Sequence, residues 1–182
     1  MTQTPALEPP LGRTAVVVTP GAFGSGEHVT TASCLEFLEA LPGLEAMRVL
    51  DVGSGTGILA VAALLLGARH AVLVDTDPLA VATARRNCEL NRVAERAEHV
   101  LGSLADAPPG PYDLILANLH GDLLQALAPG LAAAAAPGGW MILSGILWED
   151  DFPVASAVTR CGLELRRRSM VDGYSTFLLA RR

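Results

Sequence analysis

Asp51-Val52-Gly53-Ser54-Gly55-Thr56-Gly57 is the stretch on which the reading of this chain turns. The compact apolar run Val49–Val52 leads into it, and an Ala/Leu-rich helical pattern that ends at Gly67 follows it. Strand, glycine turn and helix in that order open a βαβ unit, because glycine lets the backbone turn tightly and approach a ligand with no Cβ in the way. The unit continues with a strand at Ala71–Asp75. Asp77 then reads as an N-cap with Pro78 at the first helical position, of a helix running to about Asn91.

Working outward, a short β-rich run at Ala15–Thr19 and a glycine-rich loop precede a helical pattern from Val29 to Leu41, with Leu35, Leu38 and Leu41 on one face. Pro42 and Gly43 stop it. Further strands are expected at Glu98–Leu101, Asp113–Asn118 and Trp140–Ser144. An alanine-rich helix between the last two takes in Ala132–Ala136 and ends at Pro137-Gly138-Gly139. Phe152–Cys161 reads as a helix, and Leu163–Met170 and Tyr174–Ala180 as two strands joined at Asp172-Gly173. This alternation predicts an α/β fold: a mostly parallel sheet with helices on both faces and a terminal antiparallel hairpin. Residues 1–13 read as a flexible tail and 14–182 as a single domain.

Composition removes several function classes. The 182 residues are 51% hydrophobic and 18% charged, enough apolar material for a sizeable core. All 13 basic residues are Arg, which excludes a Schiff-base or phosphate-loop lysine. A net charge of −6 argues against direct nucleic-acid binding. Cys34, Cys88 and Cys161 form no CxxC pair, and the four histidines show no metal-ligand spacing, so no disulfide framework and no metal are expected, and the thiols fit a cytoplasmic protein. The uncharged stretch Val52–Ala68 holds four glycines and follows a strand pattern, so it reads as fold rather than membrane span. The N-terminus lacks the charge and apolar core of a signal peptide.

Asp75 ends its strand 22 positions after Gly53, where a carboxylate can accept hydrogen bonds from ribose hydroxyls. Two nucleotide chemistries compete for this pattern. A dinucleotide site wants G-x-G-x-x-G, and here the third glycine comes one place early, with Ile58 at the expected site. A pyrophosphate also prefers a helix N-terminus without a neighbouring carboxylate, and Asp51 stands close by. A ligand carrying ammonium and sulfonium charge, S-adenosylmethionine, suits that acidic rim better. A tight packing turn with no ligand is the remaining reading.

The D-x-G-x-G-x-G loop resembles motif I of the class I S-adenosylmethionine-dependent methyltransferases, and Asp75 resembles their ribose-binding acid. Gly21-Ala22-Phe23-Gly24-Ser25-Gly26-Glu27-His28-Val29-Thr30-Thr31 is similar to the segment F-G-T-G-x-H-x-T-T of one branch, and Gly102-Ser103-Leu104, Ala117-Asn118-Leu119 and Ser144-Gly145-Ile146-Leu147 resemble three later segments. Together these match the PrmA family, lysine methyltransferases of a large-subunit ribosomal protein. The resemblance implies a Rossmann-like sandwich on a seven-stranded sheet. It also implies that Thr31, Asp51, Gly53, Gly55, Gly57, Asp75, Thr76, Ser103, Leu104 and Asn118 serve the cofactor: Gly53 at the methionine end, Asp75 at the ribose, Ser103 and Leu104 at the adenine edge. Asn118 would face both cofactor and acceptor and is the catalytic candidate. Phe23 and His28 lie on the segment that would fold over the cofactor.

The chain departs from the family in places. Its members carry an additional N-terminal domain that presents the ribosomal protein, and about twenty residues precede the loop here, so that domain is expected to be missing. Ser25 stands for a usual threonine and Glu27 for a frequent histidine. Asn118 continues as Leu119-His120-Gly121 rather than N-P-P-Y, which argues against base and glutamine methylation; a role capping the next helix is its structural alternative. His120 is a candidate proton acceptor. His70 and His99 are expected at the surface at strand starts, Arg166-Arg167-Arg168 on an exposed edge strand, and Trp148 and Tyr174 either in the core or beside a substrate pocket. The acceptor is left as a protein amine, possibly ribosomal, or a small molecule; a non-catalytic partner subunit is the third reading. Oligomeric state is not legible.

Overall fold

A computed structural model describes residues 16, 18, 19 and 28–182. The expected tail 1–13, Phe23 and part of the run Ala15–Thr19 lie outside the described residues. Val16, Val18 and Thr19, the described members of that run, are not in a strand: the valines pack on the core, and the Thr19 N–H and hydroxyl both donate to Asn87 Oδ1 at 2.9 and 2.8 Å. A side chain, rather than a neighbouring strand, satisfies this backbone.

In chain order the elements are α1 (Val29–Glu39), β1 (Arg48–Val52), α2 (Ile58–Leu65), β2 (His70–Asp75), α3 (Pro78–Leu90), β3 (Ala97–Leu101), β4 (Tyr112–Asn118), α4 (Gly121–Ala134), β5 (Ala135–Leu147), α5 (Asp151–Arg160), β6 (Leu163–Val171) and β7 (Tyr174–Arg181). They form the expected seven-stranded sheet, in the order β3-β2-β1-β4-β5-β7-β6. The first five strands are parallel, and β7 runs antiparallel to both β5 and β6. The chain builds outward from β1 through β2 to β3 and then returns to lay β4 on the other side of β1. Such a switch point leaves a crevice beyond the carboxyl ends of the strands, where ligands of open α/β sheets bind.

Each face of the sheet is covered by its own apolar layer. Cys34 and Phe37 of α1, Val61 and Leu64 of α2, and Ala84 and Cys88 of α3 cover one face; Leu124 and Leu131 of α4 and Val154 and Val158 of α5 cover the other. Helix α2 is apolar all round because Ile58 to Leu64 are all buried, as expected of a helix enclosed on every side. That accounts for the uncharged stretch Val52–Ala68, and among the described residues no helix is long and apolar enough to cross a membrane.

Three expectations change. The alanine run does not stay helical: α4 stops at Ala134, and Ala135 is extended, buried and paired with Tyr112. Pro137 disfavours helix at the residue before it, and a register shift between Tyr112 and Leu114 absorbs the turn, so β5 starts earlier than Trp140. His99 lies in the middle of β3 rather than at its start. Burial beneath α3, with Arg85 near, pulls its imidazole down to about 4. The arginines do lie on the edge strand β6 but are not merely solvated: Arg167 stacks over Phe37 at 4.5 Å, and Arg168 over Phe177 at 5.1 Å while pairing with Asp151 at 2.9 Å.

Asn87 is fully buried on α3 and joins three segments, since its Nδ2 donates to the Thr56 carbonyl of the glycine loop at 2.8 Å while its Oδ1 holds Thr19. Replacing it by Leu keeps the volume and removes every one of these bonds. Asn87→Leu is expected to cost about 1–3 kcal/mol of stability, read as a lower urea midpoint with an unchanged m-value.

Candidate active site

A cavity of about 430 Å³ opens where β1, β2 and β4 end, inside the range of roughly 300–1,000 Å³ common for ligand sites. One end is lined by Gly53, Gly55, Asp75, Thr76, Ser103 and Leu104, and the other by His28, Thr30, Asn118, His120, Gly145 and Tyr174. Folding therefore brings together most of the residues singled out from the sequence.

The glycine loop is held from β2. The Val74 carbonyl accepts from the N–H groups of Gly53 at 2.8 Å and Ser54 at 3.1 Å. Asp75 Oδ2 accepts from Gly55 N–H at 2.8 Å, and its Oδ1 from Asp77 N–H at 3.0 Å. Each oxygen keeps a second lone pair, and the residue borders the cavity. Gly53 has φ +70°, a left-handed conformation that favours glycine, and a Cβ there would push the Leu119 side chain aside. At the adjoining corner, Ser103 donates through both N–H and hydroxyl to Asp106 Oδ2 at 2.8 Å, and these bonds hold the Asp106 carboxyl below its ordinary range.

At the opposite end, Asn118 is not a helix cap; His120 occupies that position on α4 without a side-chain capping bond. The Asn118 amide instead donates to Thr30 Oγ1 at 3.2 Å and Thr31 Oγ1 at 3.5 Å. His28 caps α1: its Nδ1 accepts from Thr30 N–H at 3.4 Å and lies 2.8 Å from Thr30 Oγ1. The directions are mutually consistent, with Asn118 donating to the threonine hydroxyl and that hydroxyl donating to His28 Nδ1. Asn118 Oδ1 is thereby left as an acceptor beside Gly145, where a Cβ would come within 3.0 Å of it. His28 also meets Tyr174 edge to face, with ring centroids 5.2 Å apart. Of the two aromatics left open by the sequence, Tyr174 borders the cavity, while Trp148 is exposed and does not.

Three residues named for the cofactor do not border the cavity. Gly57 (φ +76°) is a packing position, where a Cβ would meet Ala84 and Leu73 at 3.0 Å. Thr31 is buried and reaches the cavity only through Asn118. Asp51 does not form an acidic rim: it is buried beneath the loop, and its Oδ2 accepts from Ala60 N–H at 3.2 Å in the first turn of α2. Gly57 caps that helix and has no side chain, so a carboxylate from β1 supplies the missing acceptor. Sequence reasoning passed over Thr30, Leu119 and Gly145 as site residues. Gly145, a glycine inside β5, carried a usable signal of close backbone approach; nothing in a Thr-Thr pair says which one faces a cavity.

Burial pushes the Asp51 carboxyl from 3.8 up to about 7, offset in part by the Ala60 N–H and reinforced by Asp75. The folded protein thus keeps a proton on Asp51 that the unfolded chain has already lost across that interval, so the Asp51 contribution to stability falls as pH rises from about 4 to 7 and levels off above. Between about 4 and 6.5 it is opposed by His99, whose lowered imidazole contributes in the other sense. In thermal melts Asp51→Asn, which cannot titrate, should gain stability relative to the unaltered protein as pH rises over the same window. Equal slopes would remove Asp51 from this role.

Comparison with known proteins agrees with the geometry. The family model described as ribosomal protein L11 methyltransferase (PrmA) matches residues 5–182. The ribosomal protein L11 methyltransferase of Geobacter metallireducens is 46% identical over 173 residues, covering 94% of this chain and 56% of that protein. The chain spans about half the length of the curated relatives it matches. Among solved structures, the ribosomal protein L11 methylase of Lactobacillus delbrueckii subsp. bulgaricus superposes with a TM-score of 0.80 at 28% identity, over 86% of this chain and 81% of that one. The magnesium protoporphyrin IX methyltransferase of Synechocystis, solved with its methyl donor bound, shares the fold at 20% identity and a TM-score of 0.69, over 83% and 77% of the two chains. This chain belongs to the ribosomal protein L11 methyltransferase (PrmA) family.

Proposed function

We propose that the chain binds S-adenosylmethionine and transfers its sulfonium methyl group to an amine of a protein. The observation that carries this reading is the two-ended cavity, with a free carboxylate face at one end and an oriented amide oxygen at the other. Its residues fit the cofactor. Gly53 presents bare backbone at the cavity wall, Asp75 offers lone pairs to a pair of hydroxyls, and Leu104 provides an apolar edge for a purine.

When bound, the cofactor supplies a methyl group on an already activated sulfur leaving group. The protein's task is then alignment, and well-oriented reactants reach effective molarities of about 10⁵ M or more. Asn118 Oδ1 accepts an N–H of the incoming amine and points its lone pair, while Thr30 and Thr31 lock the amide against rotation. Leu119 lies against Gly53 and adds an apolar wall to the cavity. His28 Nδ1 is already engaged by Thr30, so it positions; His120, exposed on the rim, is the group able to take the proton the amine loses. A lysine side chain is the acceptor that the family resemblance implies, and a ribosomal protein and a cytoplasmic setting belong to the same proposal.

Calorimetry with S-adenosylhomocysteine should show one site per chain, weakened at least about tenfold by Asp75→Ala, since a hydrogen bond to a charged group contributes roughly 1.5–3 kcal/mol. Absence of binding to the unaltered protein would end the proposal. In a labelled-methyl assay on a fractionated lysate, transfer should go to protein, and Asn118→Ala should lower kcat by about 100-fold, the order expected for a misplaced reactant. Label found only in metabolites would replace the protein acceptor with a small molecule.

A further inference from the structure

Beside the acceptor end of the cavity, three successive surface segments meet. Tyr174 pairs with Leu147 of β5 on one side and with Val171 of β6 on the other. Directly paired residues in antiparallel strands share a face, so Leu147, Tyr174 and Val171 make one apolar row, with the cavity-lining tyrosine at its centre. Leu147 and Val171 are 37% and 40% exposed. Trp148 follows at once, 66% exposed, its N–H donating to the Gly173 carbonyl of the hairpin tip at 2.9 Å. The short 3-10 helix Trp148–Asp150 abuts the start of α4, where a Cβ on Gly121 would lie 2.5 Å from Asp150 Cβ. Exposed Leu123, in the first turn of α4, continues the apolar surface into the cavity wall.

Carboxylates are interleaved with this surface. Asp122, Glu149, Asp150 and Asp172 stand on the same three segments, and among the described residues none of them is in an ion pair, whereas nearby Asp151 is taken by Arg168. An exposed apolar row with a protruding tryptophan marks an interaction surface. Unpaired acids around it favour a cationic partner.

From these two observations we infer that the Leu147–Asp150 turn and the hairpin tip Val171–Tyr174 form a docking rim for an extended polypeptide segment, in which a lysine is flanked by aliphatic side chains. The flanking side chains lie on Leu147, Trp148 and Val171. The lysine stem passes Tyr174 into the cavity, and the rim carboxylates draw its ammonium group toward Asn118. The inference rests on the amine-methyltransferase reading for its purpose but not for its test.

The test uses two synthetic peptides, one with a single lysine between aliphatic residues and one with those neighbours replaced by serine, each labelled for fluorescence anisotropy against the full chain. The aliphatic-flanked peptide should bind at least tenfold more tightly. Trp148→Ala should abolish that preference, and Glu149→Gln with Asp172→Asn should reduce the salt dependence of binding; asparagine keeps the left-handed backbone at position 172 (φ +48°). Equal affinity for the two peptides, or a preference that survives Trp148→Ala, overturns the inference. So does sedimentation showing the row buried in a dimer that Trp148→Ala dissociates, because a second copy would then be the occupant. S-adenosylhomocysteine binding, measured in parallel, should be unchanged in these variants. Its absence from the unaltered protein would count against the methyltransferase reading, while the peptide preference would still decide the docking rim.

Discussion

Two backbone N–H groups, from Gly55 and Asp77, converge on the carboxylate of Asp75, and the shape of the cavity follows from that arrangement. The loop after β1 has glycine at alternate positions, with only Ser54 and Thr56 between them. Its conformation is imposed by acceptors at the end of β2, the Val74 carbonyl and the Asp75 carboxylate. Because β1 and β2 are parallel and in register from Arg48↔His70 to Val52↔Val74, their ends fall side by side, and the acid arrives where the loop needs it. The same carboxylate is the group best placed to receive a ligand hydroxyl. Loop geometry and the proposed ligand recognition therefore share one side chain.

A second support acts from below. Asp51 and Asn87 are both buried, and each satisfies backbone groups around the loop, Ala60 N–H in one case and the Thr56 carbonyl in the other. Buried polar groups of this kind raise the penalty for any alternative arrangement, since a displaced loop would leave them without partners. The raised affinity of Asp51 for its proton is the electrostatic cost of that position. At the other end of the cavity the device differs: Asn118, Thr30 and His28 form a directed chain of donors that leaves the amide oxygen beside Gly145.

Much of this was legible in the chain itself. Apolar runs bounded by glycine and proline announced the strands, and Asp77-Pro78 announced the start of α3, because these signals act over a few neighbouring residues. Boundaries slipped where a distant partner decided them, as at Ala135, whose pairing with Tyr112 overrides the helix preference of alanine. His99 slipped for a related reason: no local pattern reports that α3 will lie over β3.

By itself the sequence determined the parallel α/β architecture, the glycine loop, its partner acid and the family, since all of these depend on residue type and spacing along the chain. Only the tertiary structure decided that Asp51 caps a helix instead of facing a ligand, that Thr30 rather than Thr31 lines the cavity, and that Tyr174 is brought to its mouth beside Leu147 and Val171. Those outcomes depend on which way a side chain points once sheet and helices have packed. The direction is set by contacts between segments far apart in sequence, which spacing along the chain does not encode.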